Sequence, residues 1–552
     1  MNSENKQCQD CKKDFTIEPD DFAFYERLNI PPSYLCSYCR WKHLLAFWVF
    51  GRFRKTTSAL SNKTIITTFS ESVKFPIYER NEFVSDQWDP LNYGVDYNQT
   101  SSFFEQFQGL QVKVPHPHQS GTKNMNCEWS DDVWNSKECY LSRSLLDCEF
   151  VSYGYRTFGC KNSIDLTYCF ETELSYDCLN CFKCYKLYYS SNSHNCLDSQ
   201  FLYDCRNCTN CFMCWNLRNK QYCIMNKQYS KEAYLEKIKG FNTCSRQGIQ
   251  KLKKEFNSII KGDVVHRANF NFKDINSSGN FITEAKNCFN CYFIDKSENV
   301  RNAFRGFEYK DVIDSVGSIA EKSALSVVDA YVYETVATSH SSNCRYSAYL
   351  DYCEDCEYCF GCVGLRNKKY CVLNKQYTEK EYFSLIEKIK TAMKEKSEWG
   401  KFFPLGMAYS GYNLSIANVF FPETRESITT LGGLWEESEI ISYDNTINGD
   451  ELPDQIDSAP DSIVNRRIIC PETKMSFNIA QRELAFYREY GIPLPHYHFD
   501  HRTLLRFKPI SLMIYSQEGI CHFCKKQIIH YYPAELEYQK IACVECYQQE
   551  VV

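Results

Sequence analysis

No run of about 18 or more apolar residues occurs in this 552-residue chain, so no segment is expected to span a bilayer as a helix. Charge of one sign is also lacking. A formal net charge of −6 gives no global pull toward nucleic acid or an anionic membrane surface. The first residues, through Thr16, are polar and hold two cysteines, where a signal peptide would have an apolar core. These absences lead to the expectation of a cytoplasmic protein in a reducing setting, with no membrane partner. The chain also has no P-loop, no GxGxxG after a strand, no nucleophile elbow and no HExxH. None of the common catalytic frameworks is therefore on offer. The expectation is a non-enzymatic protein with no identified small-molecule substrate.

What the chain has in excess is cysteine and aromatics: 32 Cys, 40 Tyr and 38 Phe. Its length suffices for several domains. Secreted disulfide scaffolds are usually short and exported, so reduced thiols and zinc thiolates account better for these cysteines.

From Cys127 to Leu217 every third residue is Cys, Ser, Thr, Gly, Val or Leu, through 31 positions. The residue just before is Asn or Asp in 15 of those triplets, and the residue after is often Tyr, Phe or Trp. A period of three is neither that of a helix nor that of a strand. It fits a β-solenoid, with one small side chain per short face pointing inward and with Asn or Asp at corners that need the left-handed conformation. Cysteines recur every nine residues, at Cys160, Cys169 and Cys178 and again from Cys196 to Cys223. A coil of 18 residues, or another multiple of three, would stack them in columns, and stacking would supply the core.

The stretch Cys196–Tyr229 recurs at Cys344–Tyr377, 148 residues later. Upstream of the second copy the column continues through Ser323 and Thr338 and is broken once, by Asp329; an earlier run, Ala285 to Gly306, keeps the period in another phase. Ser230 and Thr378 stand where helix N-caps belong, and Thr378 with Glu381 has capping-box spacing, so helices are expected over 230–260 and 378–398. This divides the chain into an N-terminal zinc module (1–60), a connecting segment (61–125), a first solenoid block (126–226), a basic helical insert (227–283) and a second block (284–376). A helix (377–400), a connecting segment with an acidic linker (401–464) and a C-terminal duplicated zinc region (465–552) follow.

Two Cys-x2-Cys pairs lie near each end: Cys8 and Cys11 with Cys36 and Cys39, then Cys521 and Cys524 with Cys543 and Cys546. This spacing supplies four thiolates to a tetrahedral zinc ion and leaves no open position, so both sites are expected to be structural. A third set is degenerate. FTIEPDDFAFYERLNIPP after Cys11 is similar to FNIAQRELAFYREYGIPLP after Thr473, which places Cys470, Thr473, His498 and His501 on the four cysteine positions. Cys470, His498 and His501 would give zinc with an open, catalytic position. The plainer reading is a decayed site held by packing, because no clear general base is near; His496 and Asp500 are local candidates only.

The ladder cysteines, such as Cys178, Cys181, Cys184 and Cys205 to Cys214, alternate with Ser, Leu, Val and Thr, which replace one another in packing but not as ligands. They read as small buried hydrophobes rather than metal, cluster or disulfide sites. On that reading Cys205→Ser is worse tolerated than Ser190→Cys, since burying a hydroxyl without a partner costs about 1–3 kcal/mol. Arg40, Lys42, Arg52, Arg54 and Lys55 interleave with Trp41, Phe47, Trp48, Phe50 and Phe53, a pattern that can hold phosphates and stack bases. A helix packed on the zinc knuckle explains it as well. Segment 227–261 carries nine Lys or Arg against three Asp or Glu. Arg218, Asn219 and Lys220, with their copies Arg366, Asn367 and Lys368, sit where each ladder stops and read as end caps.

The assembled pattern resembles a cysteine-rich zinc-binding family of candidate-phyla bacteria and giant viruses. The resemblance rests on CSYCR at 36–40, FPIYERNEFVSDQWDPLNYGVDYN at 75–98, FFEQF at 103–107, FLYDCRNCTNCF at 201–212, NLRNKQYCIMNKQYSKEAY at 216–234 and CVECYQQEVV at 543–552. It covers most of the chain and implies zinc-binding modules of treble-clef or zinc-ribbon type at the two ends. A CoA-transferase label carried by some members has no motif to support it in this chain. The stretch after the first knuckle is less Arg-rich than in the family, which weakens a nucleic-acid role.

The expected architecture is mainly β and multidomain: two period-three, Cys-rich β-solenoid blocks flanked by small zinc modules, with helical inserts. The expected function is a non-enzymatic zinc scaffold that presents a rigid surface to a protein partner or a second copy of itself. The alternatives are RNA or DNA binding through 40–55 and 227–261, and a metal-dependent enzyme at Cys470, His498 and His501.

Overall fold

A computed structural model describes residues 2–437 and 443–552. Residues 438–442 of the 401–464 connecting segment, and Met1, lie outside the described residues. Strand outweighs helix, and the strands are spread over several sheets. The chain forms two compact units, each discontinuous in sequence. One joins Met1–Gln119 to Asn269–Glu437, and the other joins Ser120–Ala268 to Ser438–Val552. The N-terminal cysteine pairs therefore share a unit with the second ladder, and the C-terminal ones share a unit with the first.

Each ladder is a stack of short parallel strands in an eleven-stranded sheet. Paired residues are 12 apart: Tyr155 with Thr167, Ile164 with Tyr176, Cys211 with Cys223, and, in the second ladder, Cys359 with Cys371. The repeat is thus four triplets, not the 18 residues suggested by the cysteine columns; every multiple of three satisfies the sequence pattern. The residue before nearly every inward side chain is left-handed, from Asp132 (φ 53°) and Asn135 (φ 52°) to Asn207 (φ 54°) and Asn216 (φ 51°). Tyr153, Phe150 and Lys183 adopt it too, with φ of 57°, 57° and 52°. A non-glycine residue in that conformation costs roughly 1–2 kcal/mol; here it lets the chain turn every third residue while the parallel hydrogen bonds and the buried column offset the cost. The inward residues of each ladder form one continuous buried cluster.

Beyond its first coil, where Phe272 pairs with Thr283 and Ile275 with Lys286, the second ladder has a further irregularity. Lys310 pairs with Glu321, Ile313 with Ala324 and Val316 with Val327, offsets of 11 in place of 12. This one-residue-short coil explains why the earlier run of small residues keeps its period in another phase. Just before it, Tyr309 points inward and is 1% exposed, and a Cβ added at Gly306 would lie 1.8 Å from its ring. Glycine is needed there because the phenol already fills the interior. Asp329, buried in the same column, accepts hydrogen bonds from Thr338 Oγ1 at 2.5 Å and from the Ser341 amide at 2.8 Å. Burial pushes its carboxyl up to about 7 despite these bonds.

Each ladder ends in a capped helix. Ser230 Oγ accepts from the Ala233 amide ahead of helix Lys231–Ile238, and Thr378 with Glu381 closes a capping box ahead of helix Glu379–Glu395. The first expected helix is two, because the chain turns at Gly240 and Ser245 caps a second helix, Arg246–Gly262. That helix buries Ile249, Leu252 and Phe256 against Phe201 and Phe212 of its ladder.

Candidate metal centres

The two end knuckles share one backbone construction. A hairpin strand, Glu4–Gln7, leads into Cys8, and Lys12 turns left-handed (φ 60°) before strand Asp14–Ile17. The Cys8 amide donates to Lys13 O at 2.9 Å and Lys12 N to Cys8 O at 3.0 Å. Cys36 sits at the N-cap of helix Ser37–Ala46, and its amide donates to Cys8 Sγ at 3.3 Å. The C-terminal knuckle repeats this. The Cys521 amide donates to Lys526 O at 2.9 Å, Lys525 is left-handed (φ 61°), and Cys543, at the N-cap of helix Val544–Glu550, donates to Cys521 Sγ at 3.3 Å.

In both knuckles the four sulfurs lie within 4.8 Å of one another. Cys11 and Cys36 are 3.8 Å apart, and Cys524 and Cys543 are 3.9 Å apart, too far for a disulfide. Hydrogen bonding from Cys39 is the main influence holding the Cys36 thiol down, to about 5. Burial raises Cys521, but amide donors, Cys543 first, overcome it and leave the thiol at about 6. In each knuckle one thiol, Cys36 or Cys521, is thus held toward thiolate, the form that binds metal, while its neighbours Cys39 and Cys543 are pushed up. They differ in shielding: Cys8, Cys36 and Cys39 are buried, whereas Cys524 is exposed.

The degenerate set keeps the knuckle but not the ligand cluster. The Cys470 amide donates to Met475 O at 2.9 Å, Lys474 is left-handed (φ 59°), and His498 is the N-cap of helix Phe499–Leu512. Among the described residues only the two four-cysteine groups meet the 4.8 Å condition, and Cys470, His498 and His501 do not join one. Cys470 lies in an apolar cluster with Ile468 and Leu484, and His498 Nδ1 accepts from the Asp500 amide at 3.1 Å. Asp500 is held by Arg143 at 2.8 Å. Burial drives His496 down to about 4.

A fourth knuckle escaped the sequence reading. Strands Arg54–Thr57 and Thr64–Thr67 flank Ser58–Lys63, the Ser58 amide donates to Lys63 O at 2.8 Å, and Asn62 is left-handed (φ 63°). Glu79 is the N-cap of helix Arg80–Phe83, and its amide donates to Ser58 Oγ at 3.4 Å. Ser58, Ser61, Glu79 and Glu82 thus stand where Cys8, Cys11, Cys36 and Cys39 stand. The spacing of three within each pair, with Lys63 placed as Lys13 and Lys526 are, was the available signal; without cysteine it is too common to notice.

The knuckle helices also dock on the ladders in matched fashion. Arg40 pairs with buried Asp314 at 2.8 Å in one unit, and Arg502 pairs with buried Asp165 at 2.8 Å in the other. At the ladder ends Arg366 donates to Phe83 O and Ser85 O, and Arg218 donates to the Tyr547 hydroxyl at 2.8 Å. These arginines stand at the ladder ends, where end caps are expected, and each grips a knuckle there.

The basic and aromatic stretch after the first knuckle turns inward. Trp41 is 0% exposed and donates to Asn302 O at 2.8 Å, Lys42 pairs with Glu423, Phe47 and Trp48 are buried, and Arg54 donates to Phe69 O at 2.7 Å. In 227–261, Lys253 pairs with Asp177 and Lys261 with Glu537.

Ladder cysteines are free and buried. Their thiols donate to the carbonyl two residues back, as Cys205 does to Tyr203 O at 3.6 Å. Ladder serines use the same partner: Ser190 Oγ donates to Tyr188 O at 2.8 Å and accepts from the Leu202 amide at 2.9 Å. A hydroxyl at a rung is thus satisfied, and this removes the unpaired-hydroxyl argument against Cys205→Ser.

No protein-family model and no curated protein matches the chain. Among solved structures, a chain described as an acetyltransferase, from Desulfovibrio desulfuricans G20, aligns at 11% identity and a TM-score of 0.09, covering 44% of this chain and 65% of that one. The alignment thus spans less than two thirds of that structure's length, and likeness at this level carries no argument about fold or activity.

Proposed function

We propose that the protein is a non-enzymatic, zinc-stabilised repeat scaffold whose two β-solenoid blocks present a rigid surface to a macromolecular partner. The observation that carries this reading is the pair of closed four-cysteine groups. Zinc with thiolates at about 2.3 Å has tetrahedral S···S edges of about 3.8 Å, and the sulfur separations of 3.8 and 3.9 Å fit that edge. Four protein ligands leave no position for substrate or water, so the metal contributes folding energy and no chemistry. Two further features support a presenting surface. The ladder interiors are filled by packed side chains. Outside, rings meet at successive 12-residue steps: Phe158 lies edge-to-face on Phe170 at 4.9 Å, and Phe170 stacks on Phe182 at 4.8 Å. The inward packing of Arg40, Trp41 and Trp48 speaks against a nucleic-acid surface at 40–55, and the wiring of His498 and Asp500 speaks against an enzyme at Cys470.

The test combines elemental analysis with binding at two salt concentrations. Two zinc ions per chain, together with self-association or protein binding that changes little with salt, are expected. Retention of RNA or DNA that weakens steeply with salt, and that Lys251, Lys253 and Lys254 neutralisation abolishes, would overturn the reading.

A further inference from the structure

We propose that Ser58, Ser61, Glu79 and Glu82 form a site for a hard divalent cation of the magnesium, manganese or calcium class. The site is the oxygen counterpart of the four-cysteine knuckles. Its backbone repeats theirs bond for bond. The Ala59 amide donates to Ile77 O at 2.8 Å, as Gln9 does to Tyr34 O at 3.2 Å and His522 to Ile541 O at 2.7 Å. Two contacts fix where the donor oxygens sit. Ser58 Oγ accepts the Glu79 amide, the contact that Cys8 Sγ makes with the Cys36 amide. Glu79 Oε2 accepts the Glu82 amide at 3.2 Å, the contact that Cys543 Sγ makes with the Cys546 amide at 3.4 Å. Oxygen therefore occupies the sulfur positions at these two corners.

Replacing thiolates by two hydroxyls and two carboxylates exchanges a soft donor set for a hard one, and such oxygens select magnesium, calcium or manganese over zinc. Two carboxylates also balance the charge of a divalent ion. A separate observation points to a ligand. Glu82 is 6% exposed; its Oε2 accepts from Ser58 Oγ, while its Oε1 is buried and makes no hydrogen bond of good geometry, with the Ser61 hydroxyl and the Lys63 charge as the neighbours that act on the carboxyl. A buried carboxylate oxygen left unpaired is costly, and a cation at the knuckle centre would satisfy it. This inference rests on the knuckle backbone and not on the scaffold reading.

The experiment uses the full chain, loaded with zinc, and manganese as the probe, followed by electron paramagnetic resonance. One bound manganese per chain is expected, displaced by magnesium or calcium, with zinc content unchanged. Glu82→Gln should weaken manganese by about tenfold or more, the loss seen even for groups one shell further from a metal. Manganese binding no stronger in the native chain than in Glu82→Gln overturns the proposal and leaves a metal-free knuckle closed by the Ser58–Glu82 hydrogen bond. Should Glu82→Gln lose zinc or circular dichroism signal, Glu79→Gln is the second variant, and manganese affinity unchanged there overturns the proposal equally. A failure of the scaffold reading would appear separately, in the zinc count and the partner binding.

Discussion

The two ladders have the same backbone period and different interiors. Through the 148-residue repeat and the short coil, Thr157, Cys160 and Cys181 of one ladder correspond to Gly306, Tyr309 and Asp329 of the other. All six are buried or fill space in a buried column. The first ladder admits no aromatic or charged inward residue, and Cys, Ser, Thr, Gly, Val and Leu share its rungs. The second admits a phenol and a carboxyl, and each exception is matched by a neighbour: Gly306 makes room for Tyr309, while Thr338 and Ser341 bond Asp329. The triplet turn thus fixes the path of the chain, while interior identity is set pairwise between adjacent rungs.

The units also differ in how their four-cysteine knuckles are shielded, and metal removal should give the largest effect. A structural zinc site contributes about 10–16 kcal/mol. A chelator should strip the knuckle with exposed Cys524 before the one with buried Cys8, Cys36 and Cys39. Alkylation mapped by mass spectrometry should label Cys521–Cys546 first; equal rates at both would erase the distinction between the units.

Exchanging the interiors comes next. Gly306→Thr should cost about 3 kcal/mol or more, because the new Cβ meets a ring packed on all sides. Adding Tyr309→Cys, which recreates the Thr157–Cys160 pair of the first ladder, should restore much of that loss. Additive costs for the two changes in denaturant unfolding would show that the rungs are independent.

A smaller effect concerns pH. The folded-state pKa of Asp329, about 7, lies above its ordinary value of 3.8 because burial disfavours the carboxylate. Protonation therefore favours the folded state. Stability from this group is full below pH 3.8, falls as pH rises through 7, and is flat above. Asp329→Asn keeps both hydrogen bonds, with its amide donating to Thr338, and should remove a decline of a few kcal/mol, roughly 1.4 per pH unit. The first ladder has Cys181 at this position, so no such slope arises from this rung there. A decline that persists in Asp329→Asn would place its origin elsewhere, Asp314 (pushed by burial to about 6) being the next group to replace.

Some of this could be read from the chain and some could not. The turn every third residue was legible because left-handed corners and inward small residues are local requirements. The 12-residue offset was not, since Cys160, Cys169 and Cys178 fit any multiple of three. The four-cysteine knuckles were legible from spacing alone. Ser58, Ser61, Glu79 and Glu82 were not, because serine and glutamate at such intervals are common and only the amide contacts reveal the shared construction.

By itself the sequence determined the periodic column, the cysteine pairs at each end and the helix caps at Ser230 and Thr378, because each depends on residues within a few positions of one another. Tertiary structure alone decided which knuckle shares a unit with which ladder. It placed Arg40 on Asp314 and Arg502 on Asp165, and it left Cys470, His498 and His501 outside a ligand cluster. Those outcomes depend on burial and charge pairing between segments hundreds of residues apart. Spacing along the chain says nothing about which buried carboxylate a distant guanidinium will meet.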